Sequence, residues 1–373
     1  MLQIVYCLTG DDKFPPILDR QMDRFVHRLR DDIEDLIWEG QLRGYASAKL
    51  LFERYQALSD SSRARLFLSP QGFEAIHSAA GTRTADALRT LADSIDECCA
   101  PELMETPQTD AIAAGDQPAR ERFSIGGTIS LDIGSRWARR LEPTSPIFFS
   151  PFEPHTCDES EKVVRKLSAA LAEIESAAPT FARLIRNYTR TILVRKIGDL
   201  LPASEQVDTE LGAIRLRNVH ADTYTHDQLV DDLIHETTHN FLGTFEYLSF
   251  PFVPFGERAA DEVRPVSPWS MRPIQVLPFL HAVFVYFAMF NYASKRLGEA
   301  GLPPECRKRL QRRRNRYASG FLMPGRLSDY VADLAKVDPR VLAAIENMES
   351  VVKSKAGPSF SAQDADLGLA KVA

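Results

Sequence analysis

The chain has 373 residues, 44% of them hydrophobic and 26% charged, with a formal net charge of −6. That length can bury a large core in one or two domains, and the acidic balance argues against nucleic acid as a general partner. Five cysteines, an odd number without zinc-ligand spacing, read as reduced thiols of a cytoplasmic protein, and no basic segment precedes an apolar run near Met1 as a secretory signal requires.

Residues 1–100 are expected to form a helical N-terminal region. Ile17 to Leu42 places Met22, Phe25, Val26, Leu29, Ile33, Leu36 and Ile37 at helical spacing. Ser59-Asp60-Ser61-Ser62 reads as the cap of a shorter helix ending before Ser69-Pro70, and another helix runs from about Thr82 to Cys98. The polar stretch 101–120 lacks periodicity and is expected to be a linker or mobile loop. A metal-binding domain is expected over 121–354 and a disordered tail over 355–373.

Within that domain, Phe123 to Ile133 alternates like a strand or hairpin, and Pro146 to Pro151 reads as an edge segment. Asp158 to Asn187 is a long helical pattern with a break at Ala178-Pro179, followed by two strands, Thr191 to Ile197 and Gly212 to Val219. The next helix is placed near 226–246, after a capping box of Thr225 and Gln228. An irregular proline-rich stretch spans Ser249 to Pro273. An apolar helix then covers Ile274 to Leu297, too interrupted by Gln275, His281 and Asn291 for a membrane span. A basic helix covers Pro304 to Tyr317, and shorter helices cover 327–335 and 338–353. The basic run reads as a solvated face or as a dock for an acidic peptide. The fold class is α+β, mostly helical, with a small sheet next to the metal-binding helix in the order seen in zincin-like domains.

The chemistry centres on His235-Glu236-Thr237-Thr238-His239. Histidines four apart on a helix stack on one face, so both imidazoles reach one ion, and the glutamate between them lies beside it. Two histidines under-ligand a metal, and two candidates complete the set. Glu257, 18 residues beyond His239, gives a zinc site in which Glu236 is the general base of a metallopeptidase. His281, among Leu277, Phe279, Leu280 and Phe284, needs partners for its ring nitrogens and gives a three-histidine site suited to non-haem Fe(II). Such an oxygenase needs an arginine fork for 2-oxoglutarate, and Arg264 or Arg272 could supply it.

Ser267-Pro268-Trp269-Ser270-Met271-Arg272-Pro273, then Leu280-His281, following the HExxH helix and Leu242-Gly243, resemble the HExxH-motif peptide-modification family of ribosomal peptide pathways. The likeness covers roughly residues 210–295, with Ser270 standing where the family has arginine. The resemblance implies an Fe(II)- and 2-oxoglutarate-dependent dioxygenase that hydroxylates a side-chain β-carbon in a precursor peptide or amino-acid-type substrate. It implies His235, His239 and His281 as iron ligands, Arg272 on the 2-oxoglutarate carboxylate, Glu236 handling a proton, and Trp269 walling the pocket.

Overall fold

A computed structural model describes residues 1–11, 15–99, 122–133, 145, 153–254, 264–334 and 336–356. The expected linker over 101–120, the Pro146 to Pro151 segment, Glu257 and most of the tail lie outside the described residues.

In chain order the elements are α1 (Leu2–Cys7), α2 (Pro15–Leu42), α3 (Ala46–Ala57), α4 (Asp60–Leu68), α5 (Pro70–Thr82), α6 (Ala85–Cys99), β1 (Arg122–Ile125) and β2 (Ile129–Asp132). There follow α7 (Cys157–Ala177), α8 (Pro179–Tyr188), β3 (Thr191–Arg195), β4 (Ala203–Glu205), β5 (Ala213–Arg217), α9 (His226–Leu248), α10 (Val276–Leu297), α11 (Pro304–Ser319) and α12 (Pro339–Ala356). The protein is thus mostly helical, with a small mixed five-stranded sheet. It divides into two compact units, Gln21–Ser168 with Arg186–Thr225, and Met1–Arg20 with Ala169–Ile185 and His226–Ala373.

The first unit holds the sheet, in the order β1-β2-β3-β5-β4. The central pairs β2–β3 and β3–β5 are parallel and the outer pairs antiparallel. Gly126 and Gly127 turn the β1–β2 hairpin at φ of 59° and 74°, a left-handed pair that residues with a side chain adopt only at a cost. The three-residue β4 had no readable alternation. It is fixed from outside, by pairing with β5 and by Glu205, which meets Arg215 at 2.9 Å. Helices α3, α4 and α5 pack on α6. Ser59 caps α4 as expected, its hydroxyl accepting the Ser62 amide at 3.2 Å. Ser69 does the same for α5 through the Gly72 amide at 2.9 Å, with Pro70 at the first helical position.

The second unit is built round α10, which packs against α9, α11 and α12. An apolar helix needs cover on every side, and α10 has it: Phe279, Leu280, Val283, Phe284 and Phe287 are all buried. By length and hydropathy α10 could cross a membrane, yet 78% of its most apolar window is buried inside the protein. Pro278 sits in its first turn, where the missing amide hydrogen leaves no helical bond unmade. Of the helix expected over 327–335, a 3-10 turn at Leu327–Tyr330 forms. All five strands belong to the first unit and the HExxH helix to the second.

Candidate metal centre

One row of α9 carries Asp227, Asp231, His235 and His239 at successive steps of four residues, so all four side chains project from one helix face. The two aspartates anchor the row. Asp227 accepts from Arg309 at 2.9 Å, and Asp231 accepts from Arg313 at 2.9 Å and from the Tyr317 hydroxyl, all three donors on α11. The histidines one and two turns further on are thereby held in register with the end of α11.

His235 and His239 bring their Nε2 atoms to 3.3 Å. Two ligands at the usual metal–nitrogen bond length, spread at a tetrahedral angle, stand about 3.3–3.4 Å apart. The pair is therefore spaced as ligands without rearrangement. Glu236 joins them: its Oε1 lies 4.0 Å from His235 Nε2, the residue is 4% exposed, and all three ligand atoms fall within 4.8 Å of one another. Among the described residues this is the single group of three or more such side chains so disposed.

Burial holds both imidazoles in the neutral form that binds metal. It lowers the pKa of His235, with Asp232 and Asp231 opposing and Arg316 adding to the effect. It lowers that of His239 further, assisted by His235 and His281. The His235 side chain keeps 32% of its surface open, so the site is reachable from outside.

His281 meets His239 from the other edge of its ring. Its Nδ1 lies 3.3 Å from Nδ1 of His239, the edge of that ring pointing away from the Nε2 that meets His235. Its Nε2 is 3.0 Å from Oε2 of Glu246, whose Oε1 accepts the Phe252 amide at 2.7 Å. Both ring nitrogens of His281 thus meet protein groups, and the group of three close ligand atoms is His235, Glu236 and His239. Residue 246 falls seven positions after His239, on the same stripe of α9; that spacing was the signal for it in the sequence.

Trp269 is buried and stacks on Tyr286 with ring centroids 4.4 Å apart. Tyr286 in turn meets His235 edge-on at 6.5 Å. The indole therefore supports the pocket wall from behind Tyr286 and does not line the metal position itself. Its Nε1 donates to the Tyr317 carbonyl at 2.9 Å, fixing the end of α11. Arg264 and Arg272 are both exposed. Tyr286 and Tyr317 gave no sequence signal, the first being one aromatic among several in an apolar helix and the second standing in a basic one.

No protein-family profile matches the chain, and a search of curated proteins finds no match.

Proposed function

We propose that the chain is a metal-dependent enzyme in which His235 and His239 hold a divalent ion and Glu236 moves a proton, and that its reaction is hydrolysis of an amide bond in a peptide-type substrate. The observation that carries this reading is the ligand-spaced Nε2 pair, 3.3 Å apart, with a buried carboxylate beside it. A bound ion would polarise the acyl oxygen and acidify a water. Glu236 is placed to accept the proton of the attacking water and return it to the departing nitrogen. His281 and Glu246 keep His239 in one orientation, and the open edge of His235 admits substrate. Two imidazoles suit zinc, with Glu257 the sequence's candidate for the third ligand. The sequence order of strand and HExxH helix is similar to that of zincin-like domains and agrees with this chemistry.

A second reading is the Fe(II)- and 2-oxoglutarate-dependent hydroxylase of a precursor peptide. The Trp269–Tyr286 stack beside His235 favours it, because the Ser-Pro-Trp segment that carries the family likeness then serves the pocket. Two imidazoles also suit ferrous iron, and the exposed Arg264 and Arg272 are the candidates for the co-substrate's arginine.

The test is metal analysis of protein purified without oxygen, followed by incubation with a peptide pool. One zinc per chain, lost in His239→Ala, with chelator-sensitive peptide cleavage is the expected result. Bound iron with oxygen-dependent formation of succinate from 2-oxoglutarate would overturn hydrolysis and establish the second reading.

A further inference from the structure

Helix α11 carries seven cationic side chains, at positions 307, 308, 309, 312, 313, 314 and 316. Four of them have work inside the unit. Arg307 donates to the carbonyls of Leu297 and Glu299. Arg309 pairs with Asp227, and Arg313 with Asp227 and Asp231. Arg314 donates to Ser294 and to the Lys355 carbonyl.

The other three, Lys308, Arg312 and Arg316, are exposed, and among the described residues none has a hydrogen bond or ion pair. They stand at successive steps of four, so they form one row on one face of the helix. Like charges at that spacing repel, and in a chain of net charge −6 acidic partners for them are plentiful. The row is nonetheless left unneutralised.

The row ends at the metal centre. Arg309 meets Asp227 and Arg313 meets Asp231, so α11 and α9 advance together, four residues for four. One more step brings Tyr317, whose hydroxyl donates to Asp231 and whose ring reaches Tyr286 with centroids 6.2 Å apart. Arg316 is the neighbour of Tyr317, and Tyr286 meets His235 edge-on with ring centroids 6.5 Å apart. Members of the row rise about 6 Å apart along the helix. Two residues of extended peptide span about 6–7 Å. An extended chain with an acidic residue at every second position therefore matches the row charge for charge.

We propose that the substrate of the metal centre is an acidic peptide, received by Lys308, Arg312 and Arg316 and led by them to His235. This rests on the metal-enzyme reading and specifies its substrate class. It holds for either chemistry, because the row selects the chain and not the bond attacked.

The probe is a fluorescein-labelled peptide alternating serine and glutamate, followed by fluorescence anisotropy with the full-length protein. Its glutamine and lysine counterparts and an oligothymidylate are the comparisons. The glutamate peptide should bind on the order of tenfold tighter than the glutamine peptide, the sum of three exposed charge pairs. The triple variant Lys308→Gln, Arg312→Gln, Arg316→Gln should bind both peptides alike. Arg309→Gln removes one charge from a different row and should leave the preference in place. Equal binding of the two peptides, no binding, an unchanged triple variant, or tighter binding of oligothymidylate would each overturn the proposal. Metal content of the same preparations separates the two readings. A metal-free protein that keeps the peptide preference fails the enzyme reading alone, and a metal-loaded protein without the preference fails this one alone.

Discussion

Nδ1 of His239 and Nδ1 of His281 face each other across 3.3 Å, and only one of the two can carry the hydrogen between them. Glu246 decides which. As a carboxylate it accepts from His281 Nε2 at 3.0 Å, so the hydrogen of that ring sits on Nε2 and its Nδ1 offers a lone pair. His239 must then donate from Nδ1, which leaves the lone pair of its Nε2 directed to the side where His235 stands. The relay of carboxylate, imidazole and imidazole sets the tautomer that a metal ligand needs.

That relay sets an order of effects on metal affinity. His239→Ala removes a ligand and should abolish stoichiometric binding. His281→Ala and Glu246→Gln leave both ligands but release the ring, and should weaken affinity about 10–100-fold. Competition against a chromophoric chelator measures all three. If His281→Ala is as damaging as His239→Ala, His281 is a ligand and the two-histidine arrangement is wrong.

Glu236 can be separated from the ligands in the same way. Its carboxylate is 4.0 Å from His235 Nε2, near enough to serve a water held there without being needed to hold the ion. Glu236→Gln should retain metal within a few-fold and lower peptide hydrolysis about 10²–10⁴-fold, the usual share of a general base. Loss of metal together with activity would make Glu236 a ligand.

The grouping of His235, Glu236 and His239 was legible in the sequence, because the four-residue spacing of the two histidines on a helix dictates their common face. It also carried the α4 cap at Ser59 and the boundaries of β3 and β5 closely, where alternation and capping chemistry are local. His281 was less legible. A lone histidine in an apolar helix announces that its nitrogens need partners, but not whether the partner is an ion or Glu246. The same holds for Arg264 and Arg272: proximity in sequence to Trp269 says nothing about which way an exposed loop side chain points. The role of α11 was hidden because Arg309 and Arg313 look like Lys308 and Arg312 until Asp227 and Asp231 are seen opposite the first pair.

Trp269 offers a test of how the site is supported. Gly320, just past the end of α11, lies against its indole, and a Cβ built there would stand 2.2 Å from Trp269 Cε2. The ring is pinned between Tyr286 and the Tyr317 carbonyl, so it has little room to withdraw. Gly320→Ala should cost about 1–3 kcal/mol of stability, as overpacking of a filled core does. Urea denaturation followed by tryptophan fluorescence gives the number; an unchanged midpoint would mean the indole moves freely and does not brace Tyr286.

The first turn of α9 makes stability depend on pH. His226 Nε2 and Glu173 Oε2 are 2.9 Å apart. The hydrogen bond to Glu173 raises the pKa of His226 above its ordinary 6.5. The same bond is the largest cause holding Glu173 down at about 2. The raised histidine stabilises fully below its unfolded value of 6.5 and loses that contribution as pH rises through its higher folded value. The depressed carboxylate stabilises above its unfolded value of 4.5 and loses that contribution as pH falls toward 2. Both are in force together only between those two unfolded values. His226 is 44% exposed at its side chain, so solvent screening limits the pair to about half a kcal/mol. Thermal midpoints of wild type and His226→Gln should therefore differ by about 1–2 °C near pH 5.5. They should converge as pH rises through the raised folded value of His226, while Arg296 and Tyr292 still hold Glu173. A gap that stays the same at the alkaline end would assign the contact to packing and not to charge.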